Sequence, residues 1–125
     1  ADGVFHTVVR ELGEAVGHAI GRGVPRERLI VDPGIGFGKG TDQNLELLHR
    51  LGELKTALGG LPLLIGTSRK RFIGALLDGA APDDRVEGTA ATVALAIAAG
   101  ADIVRVHDVA HLARTRRVAD AIIRR

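Results

Sequence analysis

Cysteine, methionine, tryptophan and tyrosine are all absent from this 125-residue chain, and phenylalanine occurs three times. No disulfide and no thiolate metal site can form. Five histidines remain, but no His-Glu-x-x-His spacing occurs, and His107 with His111 is only a loose i, i+4 pair, so no metal site is expected within the chain. Aromatic residues total 2%, which leaves little for nucleic-acid bases to stack on. The cations are dispersed and often adjoin acids, as in Arg26-Glu27-Arg28 and Asp84-Arg85, and the formal net charge is only +2. Small anionic ligands are expected, and no nucleic acid. No apolar run approaches the length of a membrane span and no leader pattern opens the sequence, so a soluble cytoplasmic protein with no membrane partner is expected.

What is present is glycine, 17 residues of it, alongside a hydrophobic fraction of 46%. That supports one modest core and one unit, since no repeat or linker divides the chain. Phe5, Val8, Val9, Leu12, Val16 and Ile20 recur at helical spacing until Gly21, Gly23 and Pro25. Leu29-Ile30-Val31 is a short apolar run of the kind buried on both faces of a parallel sheet. Thr41 or Asp42 can cap the next helix, whose stripe is Leu45, Leu48, Leu51, Leu54 and Leu58. A strand over 63–65, a short helix over 72–77, an alanine-rich helix over 84–99, a strand over 103–106 and a last helix over 109–123, with Leu112, Ala119 and Ile122 inward, complete the pattern. Alternation of helix and apolar strand predicts right-handed crossovers and a parallel sheet.

Strand ends carry the chemistry. Leu63-Leu64-Ile65 stops at Gly66-Thr67-Ser68-Arg69-Lys70-Arg71-Phe72-Ile73-Gly74, with three consecutive cations. Such a run is ordinarily a solvated helix start. Parallel strands, however, deliver their ends to one rim, so Asp32, the 68–70 segment, and Arg105 with His107 are expected to converge there. Alternation sends Arg105 and His107 to one face and Val104 and Val106 to the other. A buried guanidinium needs a partner, so Arg105 either lines a cavity or pairs with an acid such as Asp102 or Asp108. The loop Asp32-Pro33-Gly34-Ile35-Gly36-Phe37-Gly38-Lys39-Gly40 is not a Walker A loop, because Pro33 replaces its first glycine and Gly40 follows Lys39. A mobile lid carrying Phe37 fits better. A Ser68-His107-Asp32 triad lacks a Gly-x-Ser-x-Gly elbow.

Asp32-Pro33-Gly34-Ile35-Gly36-Phe37-Gly38-Lys39, the 66–74 segment and Arg105-Val106-His107-Asp108-Val109 resemble, in this order, the last three strand-end motifs of bacterial dihydropteroate synthase. The resemblance covers almost the whole chain. It implies an α/β fold of parallel β/α units forming the C-terminal part of a (β/α)8 TIM barrel, a single pterin-binding domain fragment over 1–125. The implied reaction condenses 6-hydroxymethyl-7,8-dihydropterin diphosphate with p-aminobenzoate, giving 7,8-dihydropteroate and diphosphate in folate biosynthesis.

Residue by residue, the resemblance assigns Asp32 and Gly66 to the pterin, and Lys70 to both the pterin and p-aminobenzoate. Phe37, Ser68 and Arg69 fall in the p-aminobenzoate pocket, which sulfonamides occupy in the family. Arg105 covers the pterin face and, with His107, holds diphosphate; Lys70, Arg105 and His107 are thus the implied catalytic set. Magnesium is implied as cofactor, with ligands in an N-terminal half that has no counterpart here. Cleaving a carbon–oxygen bond to diphosphate calls for stabilising the leaving anion and shielding a cationic methylene from water, which suits these residue types.

A closed barrel of this kind takes about 250 residues, so the chain resembles the C-terminal half alone. By itself it is expected to be inactive or nearly so, and to form a homodimer, self-associate through exposed strand edges, or require the other half. Two other readings stand beside this one: the pterin-binding domain of a corrinoid-dependent methyltransferase, against which the Ser68-Arg69-Lys70 and Arg105-His107 sets argue, and a non-catalytic half-barrel.

Overall fold

Helix α1 (Val4–Gly21) forms where the apolar spacing predicts it. The computed structural model describes residues 3–125. Phe5 and Val8 of α1 are buried, with Val9, Leu12 and Val16 packed beside them, whereas Ile20 is exposed. The helix ends because Gly23 takes φ +99° and Val24 N–H returns to the Ala19 carbonyl at 3.0 Å, a Schellman closure that lets Pro25 turn the chain away.

The leucine-rich segment is two helices, α2 (Thr41–His49) and α3 (Leu51–Ala57), where the pattern predicts one. Arg50 leaves helical geometry at φ −106°, ψ 25°. Its guanidinium lies 3.6 Å over the Phe5 ring and pairs with Glu53 at 3.0 Å and Glu46 at 3.5 Å, which locks α1 against the break. Leu47, Leu51, Leu54 and Leu58 form the buried stripe, while the predicted Leu45 and Leu48 sit at its margin. Neither Thr41 nor Asp42 is the cap. Gly40 holds that place, and its N–H is accepted by Gln43 Oε1 at 2.9 Å.

Strands β1 (Leu64–Ile65) and β2 (Ile103–Val104) pair in parallel, Leu64 with Ile103 and Ile65 with Val104. The first predicted strand contributes a single parallel bridge, Val31 to Leu63. It stops there because Pro33 has no N–H to continue a ladder. Helix α4 (Arg71–Leu76) follows β1, α5 (Val86–Ala98) leads into β2, and α6 (Val109–Ile123) packs against α5. Leu112 is buried and Ala119 partly so, but Ile122 is 65% exposed, contrary to its predicted inward position.

The sheet has one covered face. Val31, Leu63 and Ile65 are at most 3% exposed beneath the helices, whereas Ile30 is 55% and Ile103 39% exposed on the other side. Alternation therefore reports a packed exterior and an open interior wall, as in one arc of a barrel.

Candidate active site

The rim of that wall gathers the residues singled out above. Asp32 follows the Val31 bridge, and its Oδ1 accepts the Gly34 N–H at 2.8 Å, which bends the chain into the glycine loop. Gly36 takes φ +86°, and a Cβ there would lie 2.6 Å from Lys70 Cδ. Only glycine lets the loop pass so close to the lysine. Lys39 Nζ ties the loop internally, donating to the carbonyls of Gly34 at 2.8 Å and Phe37 at 3.0 Å. From beneath, the buried Asn44 accepts the Gly36 N–H at 2.8 Å. Phe37 is 73% exposed at the loop tip.

Lys70 joins the loop to the second strand end. Its Nζ donates to the Ile35 carbonyl and lies 4.6 Å above the Phe37 ring. Burial pushes the Lys70 ammonium below the usual lysine range, Asp32 pulls it back, and Arg105 and Lys39 push it lower again. Charged groups from the first and third strand ends thus act on Lys70 at the same rim. A Cβ on Gly66 would sit 3.9 Å from both Lys70 Nζ and Arg105 Cβ, an ordinary contact distance that places Gly66 between the two cations.

The second and third strand ends are joined directly. Ser68, 3% exposed, has an Oγ that accepts the His107 N–H at 2.9 Å and lies 2.7 Å from His107 Nδ1. Arg69 adopts φ +59°, a left-handed conformation that costs a residue with a Cβ roughly 1–2 kcal/mol. Its guanidinium meets Asp108 twice, Nη2 to Oδ1 at 2.7 Å and Nε to Oδ2 at 3.2 Å. The Arg69 pair holds the Asp108 carboxyl below the usual range.

Of the alternatives open for Arg105, neither ion pair forms. Asp108 is taken by Arg69 and Asp102 by Lys55 at 2.8 Å, and Arg105 is exposed on the inner wall. Asp32, Gly66, Lys70 and Arg105 come together, Ser68 with His107 forms a second cluster beside them, and Arg69 points its fork into Asp108. Asn44 has no role in the sequence reading, and Asp108 enters it only as an acid for Arg105, whereas the structure gives it to Arg69; a polar residue within a leucine stripe is the one signal for Asn44.

A family model described as pterin binding enzyme matches residues 1–107. The dihydropteroate synthase of Synechocystis sp. is 57% identical over 102 residues, covering 82% of this chain and 35% of that protein. A structure of dihydropteroate synthase from Xanthomonas albilineans in complex with 7,8-dihydropteroate superposes at a TM-score of 0.92 and 42% identity, covering 98% of this chain and 46% of that one. The Yersinia pestis enzyme in a sulfonamide drug complex superposes at 0.91 and 35% identity, covering 98% of this chain and 43% of that one. The chain spans less than half the length of each.

Proposed function

Because the chain belongs to the pterin-binding enzyme family, we propose that it forms one wall of a dihydropteroate synthase active site, the single domain fragment 1–125 supplying the last three strand ends of the barrel. The observation that carries this reading is the convergence of Asp32, Lys70 and Arg105 at one rim, with Ser68 and His107 beside them. The site takes the pterin of 6-hydroxymethyl-7,8-dihydropterin diphosphate and p-aminobenzoate.

A carboxylate is a two-point acceptor for a 2-aminopyrimidine edge, which is the part Asp32 plays against the pterin. Arg105 lies over the ring plane and, with His107, receives the diphosphate as the carbon–oxygen bond breaks; the electron pair leaves with the bridging oxygen. Lys70, part-buried and with no acid in ion-pair contact among the described residues, is free to leave the Ile35 carbonyl for a substrate acceptor. Phe37 covers the arylamine and keeps water from the cationic methylene. The amine nitrogen then attacks that carbon and releases a proton to solvent or diphosphate.

Among the described residues no three His, Cys, Asp or Glu side chains cluster to hold a metal ion. The protein ligands of magnesium are proposed to come from the other half of the site, and no step above runs through the ion. The second half of the site comes from another part of the barrel or another copy of the chain, since the sheet has open edges and an uncovered face. No helix among the described residues is long and apolar enough to cross a membrane. A cytoplasmic location belongs to the same proposal, because a diphosphate ester does not diffuse across a bilayer.

Titrating the chain with 7,8-dihydropteroate tests the reading. Saturable binding is expected for the chain itself, and Lys70→Ala should weaken it roughly tenfold or more, the worth of one charged hydrogen bond. An unchanged dissociation constant would remove Lys70 from the site. Product formed from the pterin diphosphate and p-aminobenzoate by the chain alone would show that no second wall is needed.

A further inference from the structure

Arg69 occupies a position that suits glycine. Lys70 N–H bonds to the Thr67 carbonyl at 3.1 Å, and Arg69, third in that turn, has φ +59°, the backbone of a type II turn in which glycine is the usual third residue. Its own backbone is held on both sides. The Arg69 N–H is accepted by Thr89 Oγ1 at 3.2 Å, and its carbonyl accepts from Arg85 Nη1 at 2.7 Å. Thr89 is fully buried in α5. An arginine kept in a strained conformation by three separate partners has a use for its side chain.

We propose that Arg69 is a positioning residue that sets His107 for its anion, by a bidentate bridge to Asp108 that fixes the two strand ends in register. This rests on the reading of the site given above. Ser68 and Arg69 are neighbours on one strand end, and His107 and Asp108 are neighbours on the other. The Ser68–His107 and Arg69–Asp108 contacts are thus adjacent rungs between the same two segments. One rung through a hydroxyl leaves a hinge; the second, a planar fork on a carboxylate, removes it.

The consequence falls on the imidazole. Ser68 Oγ already accepts the His107 N–H, and the one partner that its hydroxyl proton has among the described residues is His107 Nδ1 at 2.7 Å. Neutral His107 therefore carries its own proton on Nε2, directed away from Ser68 as a donor for an anionic oxygen. Arg69 acts on that donor through Asp108 and the backbone, without touching the anion.

The test compares the chain with its Arg69→Gly and Asp108→Asn variants, reading the histidine side-chain nitrogen shifts by NMR and the affinity for inorganic diphosphate by titration. Arg69→Gly suits the turn and removes the bridge; Asp108→Asn removes a negative charge from the rim. If Asp108 mattered only through its charge, its neutralisation would tighten diphosphate binding. The bridge predicts the reverse, a loss of roughly tenfold in both variants, with His107 Nδ1 and Nε2 shifts moving toward a tautomeric average while His6, His18 and His49 keep theirs. Unchanged His107 shifts in both variants, or tighter diphosphate binding by Asp108→Asn, overturn the proposal. Should Arg69→Gly fail to fold, as the three control histidines would report, Asp108→Asn decides. A chain with no affinity for diphosphate would count against the proposed function, and the His107 shifts would still judge the bridge.

Discussion

Lys70 is held by a carbonyl, an aromatic face and the backbone of a glycine, and each hold is weak enough to be exchanged for a ligand. Its lowered pKa has a stability consequence. The folded chain favours the neutral amine more than the unfolded chain does, so the penalty is present below the folded pKa and is relieved as pH rises toward 10.5. Lys70→Met should therefore lose pterin affinity while keeping or raising the unfolding free energy; a clear drop in chemical-denaturation midpoint would contradict this. Gly36→Ala should be worse on both counts. A left-handed φ and a contact with Lys70 Cδ give an expected loss of about 1–3 kcal/mol in the same measurement, with Lys70 displaced. Asp32→Asn separates the two effects, since an amide oxygen can still accept the Gly34 N–H but the two-point acceptor is gone; pterin affinity should fall at least tenfold, with stability almost unchanged. Asp32 and Arg105 are legible as residues because each stands directly after an apolar run, and Lys70 because it lies in the cation cluster that follows one. The pairing of Arg69 with Asp108 is not, because 39 residues separate them.

At the scale of elements, the strand starts are tied as firmly as the strand ends. Asp102 Oδ2 accepts both Lys55 Nζ at 2.8 Å and Leu63 N–H at 2.9 Å, joining β2 to α3 and to the entry of β1. These bonds hold the Asp102 carboxyl below its ordinary range, Lys55 first and the Leu63 amide second. A depressed carboxyl contributes stability that is present above the unfolded pKa of about 3.9 and is lost as pH falls through the folded value. The chain should lose stability below about pH 4, and Asp102→Asn should flatten that loss while costing about 1 kcal/mol at neutral pH, followed by thermal unfolding across pH. Helix positions were readable from apolar spacing to within a residue or two for α1, α4, α5 and α6. The break at Arg50 was not, since it arises from the Phe5 ring and two glutamates, a contact between helices rather than a local preference. The strands are shorter than the apolar runs predict: Pro33 ends the first after one bridge, and the pairing of β1 with β2 covers only two residues of each.

At the scale of the molecule, two features stand open. The inner wall exposes Ile30 and Ile103, and along the edge beyond β2 a groove of about 410 Å³ runs between Val104, Val106, Val109 and Leu112. Apolar surface of this kind is ordinarily covered. Size-exclusion chromatography with light scattering should find mass increasing with protein concentration, and a strict monomer over a hundredfold range would argue against self-association. A monomer that still binds pterin would leave the proposed site intact and move the missing wall to a different polypeptide segment.

The amino-acid sequence by itself determined the alternation of helices with short apolar strands, the polar residues at three strand ends and, through those motifs, the family. These are local matters: periodicity, turn residues and the order of segments along the chain. Only the tertiary structure decided which of the rim residues act on one another. It left Arg105 without an acid among the described residues, gave Asp108 to Arg69, set Ser68 against His107 and laid Lys70 across the glycine loop. Each of those outcomes depends on distances between segments far apart in the chain, fixed by the parallel register of the strands and by the buried face beneath them, and neither quantity is written in any local stretch of residues.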